Sequence, residues 1–175
     1  KIFLAKDGIP ALPIVVDPTV VYYNKDILYG ANIINPPSTW GEVQKSVSLL
    51  TKKDSKGSII QSTIALGTSQ NVNNLREIIS AMFLQTGNPI ISNDIDTDES
   101  IVSLGQNESS SILLADALNF YTSFSDPTNA NYSWNSSFSN SLEIFLTGRL
   151  AFYVGRASEL FNIRAKNPNL NFDVM

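Results

Sequence analysis

The chain contains no cysteine and no histidine among its 175 residues. Their absence excludes thiol nucleophiles, disulfides, imidazole-dependent triads and the usual zinc sites within it. A cysteine-free chain is compatible with an oxidising compartment without requiring one. Charge is also scarce: Asp, Glu, Lys and Arg supply 16% of residues, where soluble proteins average about a quarter. The net charge of -4, the pI near 4.7 and the lack of any Lys/Arg cluster argue against a nucleic-acid partner. There is no apolar run of bilayer-spanning length and no signal-peptide pattern. The chain opens at Lys1-Ile2-Phe3-Leu4 without Met and stops at Asp173-Val174-Met175, inside a strand-like run. It is therefore expected to be an excised segment, and a missing targeting sequence carries little weight.

Uncharged polar groups take the place of charge: 18 Asn and 22 Ser. Such residues make turns easily and hydrogen-bond freely. An apolar share of 43% and a mean hydropathy of zero describe a soluble globular domain, long enough to bury a core.

The pattern is organised around Gly8 to Leu28. Pro10 and Pro13 suit an edge or crossover strand, because proline has no N–H for a ladder. Ile14, Val15 and Val16 read as a buried strand ending at Asp17-Pro18. Thr19 to Tyr23, all β-branched or aromatic, reads as a second strand, with Asn24 capping a short helix from Lys25. Thr39 and Glu42 form a capping box for a helix that buries Val43, Val47 and Leu50. Ile59 to Leu66 is a strand. A helix over Val72 to Gln85 places Leu75, Ile78, Ile79, Met82 and Phe83 on its apolar face.

Ile91 to Asn107 is acidic and expected to be mostly loop, with one small strand at Ile101 to Leu104. Ser109 to Phe124 is a helix whose expected core face is Ile112, Ala115, Leu118 and Phe120. A helix over Ser137 to Leu146 ends at Gly148. A strand over Arg149 to Val154, a helix over Arg156 to Lys166 and a strand over Leu170 to Val174 complete the chain. Helices alternating with short buried strands predict a layered α/β domain.

Three motifs carry a resemblance. Val20-Val21-Tyr22-Tyr23-Asn24-Lys25-Asp26 is followed by Pro36-Pro37-Ser38-Thr39-Trp40-Gly41-Glu42; Gln85-Thr86-Gly87-Asn88 closes a helix; and Phe145-Leu146-Thr147-Gly148-Arg149-Leu150-Ala151-Phe152 precedes Gly155. In this order they resemble the extracellular solute-binding proteins, family 1, the sugar-type family that serves ABC importers. The resemblance implies a periplasmic-binding-protein-like (type II) α/β lobe, a mixed central sheet flanked by helices. Residues 1–175 would be a single lobe, most of the C-terminal one, cut near both hinge crossovers, with Ala11 to Val16 at or just past one of them. It further implies a bacterial, extracytoplasmic protein, periplasmic or lipid-anchored. Its partners would be a small solute (a sugar or oligosaccharide), the ABC permease transmembrane subunits and the missing N-terminal lobe. No cofactor, no metal site and no catalytic residue are expected.

Ligands of open α/β sheets sit beyond the C-terminal ends of strands. Three loops qualify by sequence. Asp17 follows the first expected strand, as a cleft acid or as a turn former before Pro18. Thr68, Gln70, Asn71 and Asn73 follow the next strand, as amide and hydroxyl donors in a cleft or as a helix-capping loop. Gly155 and Arg156 follow the last buried strand. Sugar binders often carry an aromatic soon after this glycine, where Arg156 or Ala157 stands here. Arg156 either forks hydrogen bonds to a ligand or is an exposed helix-start residue. Trp40 is expected to anchor its helix, while Tyr132 and Trp134 either rim the cleft or pack.

Two other function classes compete. A glycoside hydrolase would need two carboxylates about 5 to 10 Å apart, and Asp17, Glu143 and Glu159 are the acids to consider. A non-catalytic surface interaction domain is compatible with the Asn/Ser-rich composition. The expectation is a binding protein, not an enzyme.

Overall fold

The computed structural model describes residues 8, 9, 11–93 and 99–175. Pro10 and the acidic residues 94–98, both used in the sequence reading, lie outside them. Thr19–Asn24 forms strand β1, and Asn24 ends it by capping helix α1 (Lys25–Gly30), its Oδ1 accepting the Ile27 N–H at 3.1 Å. Thr39 likewise caps α2 (Trp40–Leu50), accepting the Glu42 N–H at 3.3 Å. The Glu42 carboxylate reaches one residue further back than the expected box, to the Ser38 N–H at 2.7 Å and the Ser38 hydroxyl at 3.1 Å.

Strand β2 (Lys52–Lys53) turns at Gly57 into β3 (Ile59–Ile64), and α3 (Leu75–Leu84) follows. Between α3 and the next helix, β4 (Ile91–Asn93) and β5 (Ser100–Val102) pair antiparallel. The expected small strand near Ile101 is thus β5, and β4 is a partner strand that was not expected. Helices α4 (Glu108–Ser123) and α5 (Ser141–Leu146), strand β6 (Leu150–Arg156), helix α6 (Glu159–Lys166) and strand β7 (Phe172–Val174) complete the order.

The main sheet runs β2-β3-β6-β1-β7. Strand β6 is parallel to β3 and antiparallel to β1, so the sheet is mixed. Successive side chains of a strand point to opposite faces. Leu150 to Gly155 are all buried, so β6 is covered on both sides and is the centre of the core. Beside it Tyr22 stacks on Tyr153 with ring centroids 6.0 Å apart, Phe145 stacks on Tyr153 at 5.6 Å, and Phe172 meets Tyr22 edge-on at 5.9 Å.

Two expectations fail here for physical reasons. Ile14, Val15 and Val16 form no strand and are 96%, 79% and 80% exposed. A strand needs a neighbour to take its hydrogen bonds, and none pairs with this segment among the described residues. In α4 the buried face is Ser110, Ala117 and Tyr121, with Phe124 after it, whereas Ile112, Ala115 and Leu118 face solvent. The helix has two apolar stripes. The aromatic one prevails, because Phe120 packs edge-on against Phe124 at 5.2 Å and the Tyr121 hydroxyl donates to the Thr68 carbonyl at 2.7 Å.

Candidate functional site

Because β3 and β6 are parallel, the loops leaving their C-terminal ends emerge at one end of the sheet. Antiparallel β1 pairs Thr19 with Arg156, which brings the residues before β1 to that same end. Asp17 therefore arrives by preceding a strand. The expected strand before it does not exist, so its place in the fold comes from β1 alone.

Asp17 acts as a long-range cap for α6. Its two carboxylate oxygens accept the Ser158 N–H and the Ser158 hydroxyl, each at 2.8 Å. These donors, the backbone one first, hold its carboxyl below the usual carboxylate range. The Ala157 N–H donates to the Pro18 carbonyl at 2.9 Å, locking the same junction.

One residue after Ser158, Glu159 is held from three sides. Its Oε1 accepts the Arg156 N–H and the Asn74 amide, both at 3.1 Å, and its Oε2 accepts the Tyr153 hydroxyl at 2.5 Å. Burial and this carboxylate push the Tyr153 hydroxyl far above the ordinary tyrosine range. The Tyr22 hydroxyl donates to the Arg156 carbonyl at 2.7 Å. Gly155 sits between these rings: a Cβ there would lie 2.6 Å from the Tyr153 ring and 3.1 Å from that of Tyr22. Its lack of a side chain is what lets the two tyrosines reach their acceptors.

Asn74 ties the two loops together. It adopts the left-handed conformation (φ 57°), which Asn tolerates better than most residues, and its amide reaches Glu159 and the Val154 carbonyl. Three residues on, the Glu77 carboxylate accepts from Arg156 Nη2 at 2.7 Å. Its own backbone N–H first, and the Arg156 bond second, hold the Glu77 carboxyl below its ordinary range.

Within the β3–α3 loop the polar side chains divide. The Thr68 hydroxyl donates to Asn71 Oδ1, and the Trp134 indole N–H donates to both, at 3.2 and 3.0 Å. The Asn71 amide donates to the carbonyls of Asn135 and Phe138 at 3.0 Å each. Asn73 Oδ1 accepts the Ser141 hydroxyl at 2.9 Å and the Leu142 N–H at 3.2 Å, at the start of α5. Thr68, Asn71 and Asn73 are thus spent on internal bonds, and Gln70 is the exposed amide of the loop. Trp134 is fully buried and stacks on Phe138 at 4.6 Å, so it packs instead of rimming a cleft. Tyr132 lies under the Lys53 ammonium at 5.0 Å.

Asp17, Gly155 and Arg156 accordingly meet around α6, and Gln70 stands outward on the adjoining loop. Sequence reasoning missed Asn74, Glu77 and Phe161, the last 77% exposed in the first turn of α6. Glu77 gives a sequence only the signal of an acid in a first helical turn, which suits any helix dipole. A groove of about 620 Å³ lies apart from these residues, between Val21, Pro36, Pro37, Trp40, Ile64 and Met175. No charged residue lines it, and Trp40 is held there by its indole N–H on Gln85 at 2.7 Å. Among the described residues no group of three acidic side chains is placed to hold a metal ion, and no helix is long and apolar enough to cross a membrane.

The model of the family described as bacterial extracellular solute-binding protein matches residues 3–175. The chain belongs to this family. Its fold is that of the solute-binding proteins in solved structures. It covers 98% of itself and 42% of CpMnBP1, solved with mannotriose bound, at 25% identity and a TM-score of 0.68. An ABC transporter solute-binding protein from Thermotoga lettingae bound with α-D-tagatose is similar at 19% identity and a TM-score of 0.66, with 98% and 42% covered. UgpB from Mycobacterium tuberculosis in complex with glycerophosphocholine is similar at 18% identity and 0.65, with 98% and 38% covered. The chain thus spans about two-fifths of the length of these structures. A comparison with curated protein sequences finds no match.

Proposed function

We propose that the chain is one lobe, the C-terminal one, of a two-lobed solute-binding protein of an ABC importer, and that its solute is a carbohydrate. The cleft wall would be the sheet end built from Asp17, Thr68, Gln70, Asn71, Asn73, Gly155 and Arg156. In this reading Gln70 and Arg156 meet the solute directly. Thr68, Asn71, Asn73 and Gly155 set the shape beneath them, and Asp17 offers its remaining lone pairs at the rim. The observation that carries it is the convergence of two loops at the C-terminal ends of parallel strands, cross-tied by Asn74 and Glu159. Such a wall is held in shape before any ligand arrives, which lowers the cost of binding.

The saccharides in two of the similar structures support a sugar. The bonding of the acids supports binding over glycoside hydrolysis. A hydrolase needs one carboxyl free to give a proton and a second free to attack or to activate water. Asp17 and Glu159 are instead each held by two or more fixed donors. The output would be a closed two-lobed shape recognised by the permease subunits, outside the cytoplasm of a bacterium. The family description supports that location.

Tryptophan fluorescence of the protein carrying both lobes, titrated with mannobiose, mannotriose and other neutral saccharides, tests this. A saturable change with no new reducing ends is expected. Release of reducing sugar, or no response to any saccharide, would contradict it.

A further inference from the structure

The ion pair at the end of β6 reads as a device that sets the charge of the solute. Arg156 is half-exposed, and among the described residues its guanidinium bonds from Nη2 to Glu77. Glu159, which accepts the Arg156 N–H, and Asp17, bonded to Ser158 two residues on, also act on the guanidinium electrostatically. Arg76, beside Glu77 in the first turn of α3, is the second cation acting there. Among these five groups three carboxylates stand against two guanidiniums, a balance of one negative charge around Arg156.

An anionic solute could accept from the remaining N–H groups of Arg156 only beside the Glu77 carboxylate and inside that field. A hydroxyl has no such conflict, because it both donates and accepts. One hydroxyl accepts from the free N–H groups of Arg156 and donates to a Glu77 oxygen, bridging the pair without breaking it. A carboxylate or phosphate only accepts, and duplicates what Glu77 already does.

We propose that Glu77 is a specificity-determining residue, which by holding Arg156 makes this site select an uncharged polyol over its carboxylated counterpart. The proposal rests on the solute-binding reading above and adds to it the charge of the ligand and a residue that enforces it. An ion pair whose side chains are 50% and 31% exposed contributes little to folding, so Glu77 can be altered without unfolding the lobe.

The test is calorimetric titration of the two-lobed protein with mannobiose and mannotriose, each beside its aldonic acid, in wild type and Glu77→Gln. Wild type is expected to favour the neutral sugar by about tenfold or more, and Glu77→Gln to shrink that ratio by about tenfold, chiefly through tighter aldonate binding. Added salt should narrow the wild-type ratio. Arg156→Lys, which keeps the charge but loses the fork, should weaken the neutral sugar and serves as second variant if Glu77→Gln is not folded by circular dichroism. An unchanged ratio in the variant, or wild-type affinity equal for sugar and aldonate, overturns the proposal while leaving the binding function standing. No binding of any saccharide or aldonate by wild type overturns both.

Discussion

Leu150 to Val154 and Ala11 to Val16 are runs of similar apolar content, LAFYV and ALPIVV, with opposite fates. The first lies in the middle of the sheet with every side chain buried; the second is exposed along its whole length. The difference is pairing. Strand β6 has β3 on one side and β1 on the other, so its backbone groups are satisfied and both faces can be covered. The earlier run contains Pro13 and meets Pro18 two residues past its end, and no strand in the described residues offers it a ladder. Hydrophobicity states what a segment gains from burial. Topology decides whether it gets there.

The comparison can be broken by mutation. Phe152→Ala should be the most damaging change, about 3–5 kcal/mol of stability lost in urea unfolding, because the ring is fully buried in a strand covered on both faces. A loss under about 1 kcal/mol would mean that β6 is not the centre of the core. Gly155→Ala comes next, at about 1–3 kcal/mol, since the new methyl group collides with the Tyr153 and Tyr22 rings. Its cost should fall when Tyr153 is also changed to Leu, and a cost independent of Tyr153 would remove the steric explanation.

Asp17 supplies a smaller effect that depends on pH. Hydrogen bonds from Ser158 lower its folded pKa, so its stabilisation is fully present above its ordinary value of 3.8. That stabilisation drains away as the pH falls through the lower folded value. Melting temperature recorded from pH 6 downward should therefore fall less steeply below about pH 4 in Asp17→Asn than in wild type. Identical acid limbs would mean that the Ser158 cap does not form in solution.

The smallest effect sharpens the contrast. Val15→Ser in this chain should change stability by less than about 0.5 kcal/mol, as for any exposed site. In the two-lobed protein, where Ala11 to Val16 is proposed to lie at or just past a hinge crossover, the same substitution should cost about 1–2 kcal/mol. Equal and negligible costs in both would leave that segment without a partner.

Much of the local structure was legible because local chemistry determines it. Asn24 and Thr39 cap the helices their positions predict, and Leu150 to Val154 forms the buried strand that a continuous apolar run suggests. The α/β class follows from the alternation. What could not be read depends on contacts between distant parts of the chain. Ile14 to Val16 carries a strand signal with no neighbour, and α4 has two plausible faces, between which Phe120, Tyr121 and Phe124 decide.

The site shows the same limit. Asp17, Gln70 and Arg156 stand out as polar residues beside predicted strand ends. By contrast, that Thr68 and Asn71 turn inward follows from Trp134, which lies over sixty residues away in sequence. The partnership of Arg156 with Glu77 has no local signature at all, because the two residues belong to different elements.

The most direct test of where the solute lies is hydrogen–deuterium exchange of the two-lobed protein with and without a bound saccharide. Slowed exchange is expected at residues 68–77 and 155–161, on the two loops that meet at the ends of β3 and β6. Slowing confined to residues 36–40 around the apolar groove, with those loops unchanged, would contradict the account.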